Sequence, residues 1–160
     1  MTTFDIKVIT PKDKFYIDQC LEIAKDNHVD NGGKLSYYMA VKDGCDYIIC
    51  AIKGEKVLGY LGVNKNLRQE FVVVQIAVGK DEREKGVGTA LLQYLKHHSK
   101  SVKQIISFAD KDNIPSINMH KKSGFKQIDE EYDYYFELKT EKIKDNQTLE
   151  FTDEKELEGE

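Results

Sequence analysis

The sequence predicts a mixed α/β fold, and three observations carry that expectation. Segments with a period-two apolar pattern alternate along the chain with segments of helical period. One continuous apolar strand, Phe71 to Val78, leads through a polar, glycine-bearing turn directly into a helix. The 160 residues, 40% of them hydrophobic, suit a single domain large enough to bury a core.

In chain order, Phe4 to Ile9 alternates apolar and polar residues and reads as an edge or first strand. Thr10-Pro11 ends it and opens a helix from about Lys12 to Lys25, in which Ile17, Cys20, Leu21 and Ala24 share one face. Asn31-Gly32-Gly33 marks a loop, and Leu35 to Val41 reads as a short second helix. Asp46 to Ile52 and Val57 to Val63 are strands joined by the hairpin signal Lys53-Gly54-Glu55-Lys56. A turn over residues 64–70 feeds the strand Phe71 to Val78. After the glycine turn, Val87, Leu91, Tyr94 and Leu95 give the next helix a buried stripe that runs to about His98. Lys103 to Ala109 is a strand. Asn113 is a natural N-cap, Pro115 is tolerated in a first helical turn, and Gly124 suits the position just past a helix end. Phe125 to Ile128 and Tyr132 to Leu138 close the body as a hairpin.

The stretch Gln75 to Leu92 is the most informative part of the chain. A strand that delivers a Gly-rich, basic turn to a helix N-terminus makes an anion site, because backbone N–H groups and the positive end of the helix dipole converge there. Gly86 and Gly88 lack Cβ atoms, so a phosphate can approach the backbone, and Arg83 and Lys85 add positive charge. Spacing separates the families that use such turns. A phosphate-binding loop of the nucleotide hydrolases needs Lys-Ser/Thr after its last glycine, but Thr89-Ala90 follows Gly88. A dinucleotide fingerprint needs a small residue where Leu91 stands. Arg83-Glu84-Lys85-Gly86-Val87-Gly88 fits Arg/Gln-x-x-Gly-x-Gly/Ala at every fixed position. Downstream, Asn113, Ser116, His120, Gly124 and Phe125 fit Asn-x-x-Ala/Ser-x-x-x-Tyr/His-x-x-x-Gly-Phe. With both signatures in this order, the chain resembles the GNAT superfamily of N-acetyltransferases from Phe4 to Leu138.

The resemblance implies the GNAT, or acyl-CoA N-acyltransferase, fold: a mixed central sheet with helices on both faces. It implies acetyl-CoA as cosubstrate and transfer of its acetyl group to a primary amine by direct attack in a ternary complex. The backbone of Ile76, Ala77 and Val78 would pair with the pantetheine arm. The turn Arg83, Glu84, Lys85, Gly86, Val87, Gly88 and Thr89 would hold the pyrophosphate, with Asn113 and Ser116 contributing from the second signature. His120 stands where the family commonly has a tyrosine that protonates the leaving thiolate. Imidazole is a competent proton donor, and the alternative is that His120 packs while a water carries the proton. A base for the amine is not evident: Gln75 cannot serve, Glu70 is expected to lie too far from the thioester, and deprotonation through ordered water is the expectation. Asp30, Tyr37 and Tyr38 fall where the family shapes its acceptor pocket. The alternative to an enzyme is a GNAT-like module that binds acyl-CoA without turnover.

Composition bounds the remaining classes. The net charge of −4 is uneven: residues 140–160 hold eight acids and three lysines, leaving residues 1–139 close to neutral. A neutral body argues against nucleic-acid partners. No apolar run approaches the roughly 18 residues of a membrane span, and the N-terminus lacks a signal pattern, so a cytoplasmic location is expected. Cys20, Cys45 and Cys50 lack metal spacing and read as small buried residues. His97-His98 reads as a solvated helix end, and no metal site is expected. The Tyr132–Phe136 run reads as core packing. The expected domain is residues 1–139, followed by an acidic tail, residues 140–160, that is partly disordered. Leu149, Phe151 and Leu157 in that tail could instead anchor to a neighbouring subunit, which would make a homodimer.

Overall fold

A computed structural model describes residues 3–10, 12–28, 45–99, 102–109, 111–129 and 134–139. The expected helix Leu35–Val41 and the acidic tail lie outside these residues, as do Asp30, Tyr37 and Tyr38. The described elements are β1 (Asp5–Ile9), α1 (Lys14–His28), β2 (Tyr47–Lys53), β3 (Lys56–Lys65), β4 (Glu70–Val78), α2 (Val87–His97), β5 (Gln104–Ala109), α3 (Ile114–Lys122), β6 (Lys126–Asp129) and β7 (Tyr134–Lys139), with a 3₁₀ turn at Lys80–Glu82. Helix α1 begins two residues later than its apolar pattern suggested. The Thr10 N–H donates to Asp13 Oδ2 at 2.9 Å and the Lys12 N–H to Thr10 Oγ1 at 3.2 Å, so these side chains bond to backbone groups ahead of the helix.

All seven strands form one sheet in the order β1-β2-β3-β4-β5-β7-β6. Every neighbouring pair is antiparallel except β4 and β5. The sheet is therefore mixed, and its two faces are covered separately. On one face Ile17, Cys20, Ile23 and Ala24 of α1 pack with Ile48, Cys50, Tyr60 and Ala77. On the other, Val87, Leu91, Leu92 and Leu95 of α2 and Ile117 of α3 pack with Leu61, Val63, Phe71, Val73 and Ile105. Alternation along each strand supplies both sets. Most of these side chains are fully buried, and each fully buried valine, leucine, isoleucine or phenylalanine among them stabilises by about 1.5–3 kcal/mol relative to exposure. All three cysteines are buried and free, with Cys20 and Cys50 Sγ 3.6 Å apart, as small core residues.

The parallel pair at the centre of the sheet is short. Only Glu70, Phe71 and Val72 of β4 pair with Gln104, Ile105 and Ile106 of β5. Beyond that point β4 continues on β3 as far as Val78, and β5 continues on β7 as far as Ala109. The two strands separate while each keeps its outer neighbour. A bulge marks the separation: Val63 faces Val73, Gly62 faces Gln75, and Val74 is the extra residue between them. A bulge bends the strand that carries it and sharpens its twist. Along residues 73–77 of β4 one edge of the strand consequently has no strand neighbour among the described residues.

Candidate active site

The notch between β4 and β5 opens at the carboxyl ends of both strands, and α2 begins at its mouth. The turn from Val78 to Val87 is pinned at several points. The Gly79 N–H donates to Leu58 O at 2.8 Å, and the Glu82 carboxylate holds Lys56 Nζ at 3.4 Å and Lys85 Nζ at 3.6 Å. Part of the charge expected from Lys85 is thus engaged by Glu82. Glu84 adopts φ +65°, a left-handed conformation uncommon for its type.

Gly86 is the N-cap of α2, with φ +82° and ψ 9°, and no side chain caps this helix end. A Cβ at Gly86 would meet no heavy atom within 4 Å, so the glycine serves the left-handed turn and leaves open space before the helix. Gly88 has a packing role that the sequence does not show. It is buried, and a Cβ there would lie 2.2 Å from Met119 Sδ, so its absent side chain lets α2 and α3 approach. The edge of β4 at Ile76 and Ala77, which β5 does not cover, leads through Val78 to the N–H groups from Val87 to Thr89, which no side chain caps, as one continuous track of backbone. Such a track fits an amide-bearing chain that ends in phosphates.

The second signature builds α3 from both ends. Asn113 Oδ1 accepts from the Ser116 N–H at 3.2 Å, as a cap should, and Pro115 sits in the first turn. At the other end the Gly124 N–H donates to Lys121 O and the Phe125 N–H to His120 O, both at 3.0 Å, with Gly124 at φ +93°. This pair of bonds is the Schellman stop, and it returns Phe125 to the core. The Phe125 ring meets the His120 ring edge-on, 5.5 Å between centroids.

His120 is fully buried. Its Nδ1 lies 2.8 Å from Ser116 O, so Nδ1 carries the proton and donates. Its Nε2 lies 2.6 Å from Ser107 Oγ, which then donates to it. Burial lowers the His120 pKa, and the bond to Ser116 opposes that only in part. The resting ring is neutral, and a hydroxyl stands at its acceptor nitrogen. Ser107 is also fully buried, and it is the first residue of β5 past the last pair with β4. A proton passing between His120 Nε2 and the apex of the notch has the Ser107 hydroxyl in its path.

Glu70 lies where β4 and β5 are still joined, away from the opening. It accepts from Asn66 Nδ2 at 2.9 Å and from Gln104 Nε2, and these bonds, Asn66 first, hold its carboxyl below the usual range. It is a clamp at the closed end of the notch. Ser107 escaped the sequence reading. Its signal was a lone hydroxyl in the apolar run Gln104–Ala109, at a strand position sharing the face of Ile105 and Ala109. His98 ends α2 with Nδ1 2.9 Å from Tyr94 O and its ring stacked on Tyr94. Among the described residues no group of three or more His, Cys, Asp or Glu side chains could hold a metal ion, and no helix is long and apolar enough to cross a membrane. The side chains of Tyr132 to Phe136 lie outside the described residues.

Comparison with known proteins agrees with this architecture. The model of the Acetyltransferase (GNAT) family matches residues 15–125. An N-alpha-acetyltransferase of Sulfurisphaera tokodaii is 31% identical over 71% of this chain and 78% of its own. The UPF0157 protein YqkA of Bacillus subtilis is 26% identical over 48% of this chain, a match that spans 22% of that protein. Among solved structures, the PaiA N-acetyltransferase of Thermoplasma acidophilum in complex with coenzyme A superposes with a TM-score of 0.64 at 14% identity, covering 87% of this chain and all of that one. At that identity the structural likeness speaks to the fold.

Proposed function

Since the chain belongs to the GNAT acetyltransferase family, we propose that it moves the acetyl group of acetyl-CoA to a primary amine by direct attack within a ternary complex. The observation that carries this reading is the continuous track from the unpaired edge of β4 to the uncapped start of α2. Acetyl-CoA supplies an activated thioester. Ile76, Ala77 and Val78 hold its amide arm along the strand edge, and Arg83 with the N–H groups of residues 86–89 holds its phosphates. Glu84 and Lys85 shape the turn, and Asn113, whose Oδ1 caps α3, keeps its Nδ2 for the arm. The coenzyme A complex of the Thermoplasma PaiA protein, which shares the fold, supports the choice of cosubstrate.

At the apex of the notch a new C–N bond replaces the C–S bond, the amine gives up a proton, and the sulfur gains one. A backbone N–H of β4 can polarise the thioester carbonyl. Ser107 and His120 form the proton-carrying pair. The neutral ring accepts through Nε2 and can return a proton to the sulfur by way of the Ser107 hydroxyl, while Ser116 O fixes the ring's orientation. Among primary amines we propose the α-amine of a peptide, a choice supported by the identity to the Sulfurisphaera N-alpha-acetyltransferase.

Thiol release from acetyl-CoA, measured across peptides, amino acids, polyamines and simple alkylamines, tests the function. Release that depends on an amine and yields the acetylated amine is the expected result. Binding of CoA with no release for any amine would replace it with the alternative, a module that binds acyl-CoA without turnover.

A further inference from the structure

Gln75 lies at the middle of β4, next to the Val74 bulge, and it is 5% exposed. Neither end of its carboxamide finds a hydrogen-bond partner among the described residues. Buried amide groups are nearly always satisfied, since an unpaired one keeps the cost of leaving water with nothing in return. The reason for the vacancy is visible in the sheet. Across β3 its opposite residue is Gly62, which has no side chain, and the space a Cβ would take there is filled by Cys45 Sγ. Toward β5 there is no strand neighbour, because Gln75 lies three residues beyond the last β4–β5 pair. Ala77, two residues on, packs with α1, whereas Ile76 and Val78 pack on the α2 face. Gln75 therefore presents its amide on the α1 face of the sheet, opposite to the face that holds Ser107 and His120.

This placement puts one polar, uncharged group beside the reacting end of the notch, on the side away from the proton-carrying pair. A carboxamide offers donors at one end and an acceptor at the other, which is the complement of another amide. We propose that Gln75 recognises the acceptor, and that the group it recognises is the first peptide unit following the acceptor's amine. The inference rests on the reading of the notch as the acetyl-transfer site. To the peptide α-amine already proposed it adds a specificity residue, since an acceptor with an amide next to its amine satisfies both ends of Gln75, whereas an alkylamine leaves them unpaired. A site that must pair a buried polar group discriminates strongly against ligands lacking the complement.

The test compares the tripeptide Ser-Gly-Gly amide with n-butylamine, using wild type and Gln75→Leu, a change of similar size without the amide. Acetylation at saturating acetyl-CoA gives the ratio of kcat/KM for the tripeptide to that for butylamine. In Gln75→Leu this ratio falls roughly 10- to 100-fold. The same variant melts at a higher temperature than wild type without ligand, because an unsatisfied buried amide has been replaced by an apolar group. An unchanged ratio overturns the proposal, and so does a lower melting temperature, which would mean that the amide has internal partners to lose. Calorimetric titration of the tripeptide into the CoA complex decides the matter apart from turnover. Binding that weakens by a similar factor in Gln75→Leu supports the role even if no amine is acetylated, a result that would count against the proposed function alone. Absence of tripeptide binding to the wild-type CoA complex overturns it.

Discussion

At the scale of single residues, the chemistry turns on what each polar side chain has as a partner. His120 is neutral, buried and bonded at both ring nitrogens, so its loss is felt in two ways. If the Ser107–His120 pair carries the proton, His120→Phe lowers kcat by about 10²-fold or more with the acetyl-CoA KM little changed. Ser107→Ala lowers kcat in the same direction. Steady-state kinetics under conditions where chemistry limits turnover checks both, and an undiminished kcat would leave His120 a packing residue. The same ring predicts a pH effect on stability. Its folded pKa is depressed below the usual value near 6.5, so the unfolded chain takes up the proton first as pH falls. The contribution of His120 is complete above about pH 6.5 and is lost as pH falls from there through the folded pKa. Denaturant melts from pH 8 to 5 should show wild type losing stability over that interval and His120→Phe losing less. Position 120 was legible in the sequence from its signature, but its partner was not. A serine thirteen residues earlier becomes visible only when β5 is laid against α3. Gln75 was read only for what it could not do, because an amide's lack of partners belongs to the packed sheet and leaves no trace in a linear pattern.

At the scale of elements, local signals were the legible ones. Cap, proline and left-handed glycine positions fixed α3 to within a residue, since each acts on its own backbone neighbours. Asn113→Ala removes the cap and should cost about 1 kcal/mol, read as a lowered melting temperature. The two glycines of the turn separate by the same reasoning. Gly86 faces open space and Gly88 faces Met119, so Gly88→Ala should destabilise by about 1 kcal/mol through crowding of α2 on α3. In thermal melts Gly86→Asp should be nearer to wild type, since aspartate tolerates the left-handed conformation. The contact of Gly88 with Met119 was not legible, because a signature records which residue is small and does not record what comes close to it. Strand existence was legible from alternation, and the start of α1 was misjudged because Thr10 and Asp13 bond to backbone groups of residues 10–13 ahead of the helix. The separation of β4 from β5 was not legible from residue pattern alone. It depends on a bulge at Val74, and one extra residue within the run Phe71–Val74, which has no apolar–polar alternation, does not disturb the pattern.

At the scale of the whole molecule, the sheet order puts the single parallel pair at the centre and flanks it with antiparallel neighbours that hold each strand as the two diverge. Glu70, bonded to Asn66 and Gln104, ties the closed end. The domain we propose is residues 1–139, with the acidic segment beyond it dispensable for the fold. Truncation after Asp145 should leave the melting temperature and CoA affinity near wild type. A large melting loss or a changed sedimentation coefficient would make that segment structural. The central claim is that the open edge of β4 and the uncapped start of α2 together form the cosubstrate site. Isothermal titration of CoA into wild type and into folded Gly86→Asp tests it most directly. One CoA per chain is expected for wild type and no measurable binding for the variant, whose carboxylate occupies the place of a phosphate, while equal affinity in the two proteins would put the cosubstrate elsewhere.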